Sequence, residues 1–299
     1  MAVRLLSHRS EFSLTLFQVK APAKLNLGLK ILDNRVDGYH NIHSIFQTIN
    51  LFDELTFELV DQAGIEVVCA TLSTGPDNLV YKAAEAMQKF GGPKKGIRIS
   101  LTKGIPIGAG LGGGSSDAAA VILTLNSLWK LDLSVDQTLV VAESVGSDVP
   151  FFLSGGTAVV SGKGERIRFI DWRENLHYVL VYPDFEVSSG WAYQNLRIGL
   201  TVSTEYSRFL NSVEKSGKCC PDSLLACLEN DFLPLLENRF PVVKSVLHEL
   251  DQAGAETCSL SGSGSTLYGV FRDLSQAESA VGRLTYLGHP VYLCHPWRE

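Results

Sequence analysis

The chain has 299 residues, with 26 Lys and Arg against 32 Asp and Glu, so its formal net charge is -6 and its isoelectric point is near 5.7. That balance excludes a general basic field for nucleic acid or an anionic membrane, while a local patch for one phosphorylated small molecule stays open. Hydrophobic residues at 45% and a mean hydropathy of +0.11 describe a globular chain with ample core material, and at about 150 residues per domain the length suggests two domains.

Residues Met1–Phe17 carry Arg4, His8 and Arg9 without the continuous apolar stretch of a secretory signal, and read as an ordinary N-terminal extension. Leu25, Leu27, Leu29 and Ile31 then alternate with Lys24, Asn26, Gly28 and Lys30, which predicts a strand with one buried face. Leu55, Phe57 and Leu59 repeat the pattern, as do Ile97, Ile99 and Leu101, with one helix predicted near Asn78–Phe90. From Ser115 the period changes: Ala118, Val121, Ile122, Leu125 and Leu128 mark one apolar helix face. A second helix fits Val135–Val145, and strands recur near Thr157–Val160 and His177–Tyr182.

In the last third, Val242, Val243, Val246, Leu247 and Leu250 predict a helix ending at Gly254, which suits a C′ position. A strand at Thr257–Leu260, a Gly/Ser loop, a strand at Thr266–Phe271, a helix at Ser275–Leu287 and a strand at Val291–Cys294 follow. That order is an α+β sandwich of the ferredoxin kind. The expected division is an N-terminal domain over 1–165 and a C-terminal domain over 166–299. The longest uncharged run, Thr257–Phe271, is full of Gly, Ser and Thr, so no membrane span is expected. Six cysteines without a CxxC pair predict reduced thiols, a cytoplasmic location and no structural zinc.

The most informative stretch is Pro106-Ile107-Gly108-Ala109-Gly110-Leu111-Gly112-Gly113-Gly114-Ser115-Ser116-Asp117, which leads straight into the predicted helix. Glycines let a backbone approach a ligand and adopt positive φ, and loop amides ahead of a helix N-terminus suit phosphates. Ser115 and Ser116 sit where N-caps belong and where hydroxyls could reach a phosphate or its Mg²⁺. Three readings compete: a flexible turn, a dinucleotide fingerprint through Gly108-x-Gly110-x-x-Gly113, and a nucleotide-triphosphate loop. Five glycines exceed what a turn needs. The fingerprint follows a hundred residues of strands rather than opening a βαβ unit. No Walker pattern exists, since Gly162-Lys163 is followed by Gly164.

The glycine stretch resembles the ATP loop of the galactokinase–homoserine kinase–mevalonate kinase–phosphomevalonate kinase superfamily. Ala21-Pro-Ala-Lys-Leu-Asn-Leu27 is similar to its first motif and Ser261-Gly-Ser-Gly-Ser-Thr266 to its C-terminal glycine loop. Three motifs in the right order span nearly the whole chain. Within the superfamily, Arg35-Val-Asp-Gly-Tyr-His40, Ser44-Ile-Phe-Gln47 and Gly146-Ser-Asp-Val-Pro-Phe151 narrow the resemblance to the 4-diphosphocytidyl-2-C-methyl-D-erythritol kinase family. That resemblance implies a two-domain α+β kinase fold with a ferredoxin-like C-terminal domain. It implies transfer of phosphate from ATP to the 2-hydroxyl of the diphosphocytidyl methylerythritol substrate, in the non-mevalonate route to isoprenoid precursors. Mg²⁺ is expected, with its ligands unassigned. No nucleic-acid, membrane or protein partner is implied.

Lys24 and Asn26, two apart on a strand, leave the same face, and Asp148 sits on a tight turn between Gly146 and Pro150. Taken alone, Lys24 reads rather as a surface lysine and Asp148 as a turn or cap residue. The resemblance makes Lys24 and Asp148 the catalytic pair and gives Asn26 the substrate hydroxyl to orient. It assigns His40 to the cytosine edge, Tyr39 to the base pocket and Tyr193 to the second aromatic beside the base. Residues 106–116 would hold ATP, with Asn78 and Lys103 on the adenosine side. The rival readings are a homoserine or mevalonate kinase, a catalytically silent ligand sensor, and a nicotinamide-dependent enzyme.

Overall fold

The computed structural model describes residues 16–36, 38, 40–92, 96–183, 185–196 and 204–298. Two sheets organise them. The first contains β1 (Leu16–Asn34), β2 (His40–Val60), β3 (Ile65–Cys69), β4 (Gly96–Thr102), β5 (Thr157–Gly162) and β6 (Arg166–Phe169). Its order is β3-β4-β2-β5-β6, with β1 paired along β2. The long β2 is shared: residues 54–60 pair with β4 and residues 42–47 with β5. The parallel pair β3–β4 is joined through α1 (Leu79–Lys89), as a parallel connection requires.

The second sheet contains β7 (His177–Val181), β8 (Thr257–Leu260), β9 (Leu267–Phe271) and β10 (Val291–Cys294), in the order β10-β7-β9-β8 and antiparallel throughout. Numbered within that sheet the order is 4-1-3-2, the ferredoxin-like arrangement the sequence predicts. Strand pairing in the first sheet continues through the β5–β6 hairpin to Phe169, past the expected division between 165 and 166. β6 is only four residues long, too short for its alternation to register.

Helices α2 (Gly113–Leu128), α3 (Val135–Val145) and the short α4 (Val149–Phe152) pack with α1 beside the first sheet. The α3 start is fixed by a capping box between Ser134 and Gln137. Between β7 and β8 run α5 (Ser189–Asn195), α6 (Glu205–Ser216), α7 (Pro221–Cys227), α8 (Leu233–Arg239) and α9 (Pro241–Gln252); α10 (Leu274–Leu284) follows β9. Gly254 follows the C-cap of α9 with φ +93°, as expected of a C′ glycine.

β1 departs from its predicted single buried face. Asn26 opposes Phe46, yet Leu29 opposes Ser44, so three steps on β1 match two on β2. The extra residue is accommodated at Gly28, with φ +83°, and it reverses the alternation. Leu25 and Leu27 therefore enter a core cluster with Tyr178, Tyr206 and Tyr268. Leu29 and Ile31 enter the other, with Phe46 and Phe232. Both clusters draw residues from both sheets, and β1 is buried on its two faces from Ala23 to Ile31.

Candidate active site

The first glycine loop runs from the end of β4 into α2 with positive φ at Gly108 (65°), Gly110 (77°) and Gly112 (70°). Gly112 is the N-cap of α2 and makes no side-chain cap bond, since it has no side chain to offer. The helix thus starts two residues before Ser115, and both serines lie in its first turn rather than at the cap. Ser115 lines the cleft. Ser116 is fully buried, its hydroxyl has no hydrogen-bond partner, and it does not line the cleft. Backbone amides, not serine caps, form the mouth of the helix.

The second glycine loop locks onto the first. Ser261 Oγ donates to the Gly110 carbonyl at 2.9 Å, and Thr266 N donates to the Ala109 carbonyl at 3.2 Å. A Cβ on Gly110 would lie 2.1 Å from the Ser261 carbonyl oxygen, so only glycine permits this approach of two backbones. Residues 106–114 and 262–264 together line one cleft of about 660 Å³, which Lys24, Asn26, Asn78, Lys103, Asp148 and Tyr193 also line.

Beside the first loop stands a buried lysine, whose backbone N–H donates to the Leu111 carbonyl at 2.9 Å. Lys24 is 4% exposed, its Nζ bonds to Asn26 Oδ1, and it lies 3.9 Å from Asp148 Oδ2. The same ammonium sits 4.5 Å from the centre of the Phe46 ring. Burial pushes the Lys24 pKa below its usual value, and Asp148 opposes that shift. Asn26 is fixed on every side: Nδ2 donates to Ser44 Oγ at 3.1 Å, its N–H donates to Ser261 Oγ at 3.3 Å, and its carbonyl accepts from Tyr268 at 2.8 Å. Asp148 precedes α4 without capping it, so its carboxylate is left to the cleft.

Lys103 is not a solvated strand end. Its ammonium bonds to Asp53 and, at 3.0 Å, to Asp117, with all three side chains buried. Asp53 spends its other oxygen on the amides of Gly104 (2.7 Å) and Ile105 (2.9 Å), at the start of the glycine loop. Burial, reinforced by Asp53, raises the Asp117 pKa against the pull of Lys103. Asn78 caps α1, accepting from Val80 N at 2.8 Å and donating to the Ser73 carbonyl at 2.7 Å.

His40 and Tyr193 stack with centroids 4.7 Å apart and planes 28° from parallel. Rings in that contact admit no third ring between them. Phe232 meets Tyr193 edge-on at 4.9 Å. Burial raises the Tyr193 pKa, and Asp148 adds to the effect. Tyr39 lies outside the described residues.

Sequence reasoning missed Asp53, Asp117 and Lys163. Asp117 directly follows the serines and its 14-residue separation from Lys103 was the available signal. Lys163 lines the cleft from the Gly162–Gly164 turn, where only a failed Walker pattern had been noticed. Among the described residues no group of three or more His, Cys, Asp or Glu side chains could hold a metal ion, and no helix is long and apolar enough to cross a membrane.

Two family models match the chain: GHMP kinases N terminal domain over residues 78–156 and GHMP kinases C terminal over residues 219–289. A 4-diphosphocytidyl-2-C-methyl-D-erythritol kinase of Chlorobium phaeobacteroides (strain BS1) is 40% identical over 287 residues, covering 93% of this chain and 97% of the relative. The chain belongs to the 4-diphosphocytidyl-2-C-methyl-D-erythritol kinase family. A crystal structure of a 4-(cytidine 5′-diphospho)-2C-methyl-D-erythritol kinase superimposes with a TM-score of 0.74 at 32% identity, over 93% of this chain and 98% of that one. A homoserine kinase from Cytophaga hutchinsonii gives a TM-score of 0.75 at 19% identity, over 98% and 97%, and shares the fold. Membership of a kinase family removes the nicotinamide reading of the glycine loop.

Proposed function

We propose that this chain transfers the γ-phosphoryl group of ATP to the 2-hydroxyl of 4-diphosphocytidyl-2-C-methyl-D-erythritol. The observation that carries this reading is the lining of one cleft by Lys24, Asn26 and Asp148 together with two interlocked glycine loops. Asp148 accepts the hydroxyl proton as the oxygen attacks phosphorus and the bond to the ADP oxygen breaks. Lys24 lies beside Asp148 and faces the charge that develops on the phosphoryl oxygens. Asn26, held by Ser44 and Lys24, orients the hydroxyl.

The amides of residues 108–114 cradle the ATP phosphates, with Ser115 at the head of α2. Lys163 faces the same cleft and suits a diphosphate. Asn78 and Lys103 serve through the walls they hold, Asn78 as a cap and Lys103 as a strut beneath Gly113. Mg²⁺ commonly takes one or two protein oxygens beside phosphate oxygens and water. The buried, unpartnered Oδ1 of Asp117 and the hydroxyl of Ser115 fit that small share. When bound, the ion would neutralise phosphate charge.

His40 presents its imidazole to the cytosine edge, and Tyr193 turns off His40 to admit the base. We divide the chain functionally between Phe169 and His177, where one sheet ends and the next begins. Six free cysteines suit a reducing, cytoplasmic setting. The test is ADP release with the diphosphocytidyl substrate, mevalonate and homoserine supplied separately. Release with the first alone is expected; release with mevalonate but not with the cytidine compound overturns the reading.

A further inference from the structure

Asn230 lies between α7 and α8, is 3% exposed and does not line the cleft. Its side-chain amide nevertheless reaches the second glycine loop. Nδ2 donates to the Leu260 carbonyl at 2.8 Å and to the Gly262 carbonyl at 3.0 Å, while Oδ1 accepts from Phe232 N at 2.9 Å. Two donors and one acceptor at this reach are what a primary amide supplies, and both carbonyls are buried with it.

The backbone around Asn230 is pinned to β1. Leu29 N donates to the Glu229 carbonyl at 2.7 Å, and Asp231 N donates to the Leu29 carbonyl at 3.0 Å. Lys30 donates to Glu229 Oε1 at 2.9 Å and Asp231 Oδ1 at 2.8 Å, while Asp231 Oδ2 accepts from Ile31 N at 2.7 Å. This is the strand that carries Lys24 and Asn26. The path is continuous: β1 holds Asn230, Asn230 holds Gly262, and the Gly262 loop holds Ala109 and Gly110. A Cβ on Gly262 would meet both the Gly110 carbonyl at 3.2 Å and Asn26 Oδ1 at 3.3 Å, so the loop has little slack.

We propose that Asn230 is a positioning residue for phosphoryl transfer: its amide holds the Leu260 and Gly262 carbonyls of the second loop in place against β1. It does so beside the direct bonds from Lys24 N to the Leu111 carbonyl (2.9 Å) and from Asn26 N to Ser261 Oγ (3.3 Å). The inference rests on the kinase reading. A shift of a few tenths of an ångström in the loop changes where the γ-phosphorus sits relative to the substrate oxygen, and near-attack geometry is steeply sensitive to such shifts. The cytidine side meets this path only through Phe232, whose N–H bonds to Asn230 Oδ1 and whose ring abuts Tyr193, and Asn230→Asp keeps that acceptor.

The test is Asn230→Asp, which keeps shape and acceptor but turns a carboxylate toward two carbonyl oxygens. We expect kcat to fall at least about 10-fold and the KM for ATP to rise, with cytidine monophosphate binding changed less than about 2-fold. Lowering the pH from about 8 to about 6 should shrink the kcat deficit relative to wild type, because a carboxyl crowded by carbonyls takes up a proton and regains one donor. Ser261→Ala breaks the next link and serves as a second probe, with the same ATP-selective loss expected, and decides alone if the first variant does not fold. Equal loss on the ATP and cytidine sides, a lowered melting temperature with unchanged kcat and KM, or no pH-dependent recovery in a folded Asn230→Asp overturns the proposal. Absence of ADP release by the wild type with the cytidine substrate overturns the kinase reading instead.

Discussion

Lys24 Nζ lies 3.9 Å from Asp148 Oδ2, on a buried strand and a half-buried turn that are 124 positions apart in the chain. The lysine is held by Asn26 and the Phe46 ring, and the carboxylate is the more exposed member of the pair. In the reaction proposed above, proton transfer falls to the more exposed side and charge stabilisation to the buried one.

Asp148→Asn keeps the shape and removes the proton acceptor. Turnover should fall by about 10²-fold or more, with nucleotide binding near normal. Steady-state kinetics beside a nucleotide titration check this; a near-normal kcat removes Asp148 from the base role.

Burial of Lys24 has a consequence for pH. Its pKa is lowered from 10.5 by desolvation, with Asp148 resisting, so the ammonium loses its proton earlier than a surface lysine does. kcat should therefore decline along an alkaline limb centred below 10.5. A pH–rate profile that stays flat to that value contradicts the role of the Lys24 charge.

Gly110→Ala forces a side chain into φ +77° and against the Ser261 carbonyl at 2.1 Å. Backbone strain of about 1–3 kcal/mol should come with a KM for ATP raised about 10-fold or more, as the phosphate cradle opens. Thermal melts and ATP titrations measure the two effects separately.

His40→Ala should weaken the cytidine substrate by about 1–3 kcal/mol and leave ATP almost unaffected. It also frees one face of Tyr193. Calorimetric titration with each ligand distinguishes lost recognition from general damage, which would weaken both alike.

Asp117 provides a stability test. Burial, with Asp53 adding to it, pushes its carboxyl from 3.8 up to about 8, against the pull of Lys103. A group raised in the folded state contributes stability that is complete below the unfolded value and is lost as pH rises through the folded one. The wild-type melting temperature should thus fall as pH climbs from about 4 towards 8, and Asp117→Asn should flatten that slope. Differential scanning calorimetry across the window decides; an unchanged slope in the variant assigns the pH dependence elsewhere.

Much of this architecture was legible because strong periodicity survives in strands with one wet face and in helices with one dry face. Helix α3 begins and ends where its pattern and cap residues place it, and the Lys24–Asn26 relationship follows from their separation of two. β2 was only half visible, because residues 42–49 are buried on both faces and carry no alternation. Helices α5, α7 and α8 are seven residues each, too short for a period to declare itself. In α6, by contrast, Tyr206, Leu210 and Val213 do follow helical spacing, and that signal went unread. The Lys103–Asp53–Asp117 cluster joins three elements, so no window of sequence could contain it.

The bulge at Gly28 turns chain length into a constraint of its own. In a strand without the bulge Leu29 would share the face of Leu25 and Leu27, and Lys30 that of Lys24 and Asn26; the extra residue exchanges them and lets the Lys30 ammonium reach Glu229 and Asp231. Substitutions here can be judged one side chain at a time, but insertions and deletions cannot. Losing Gly28 would close the bulge with Leu29 still opposite Ser44, whereas a one-residue change elsewhere in this ladder would exchange its faces, so gaps in related chains should fall at the bulge.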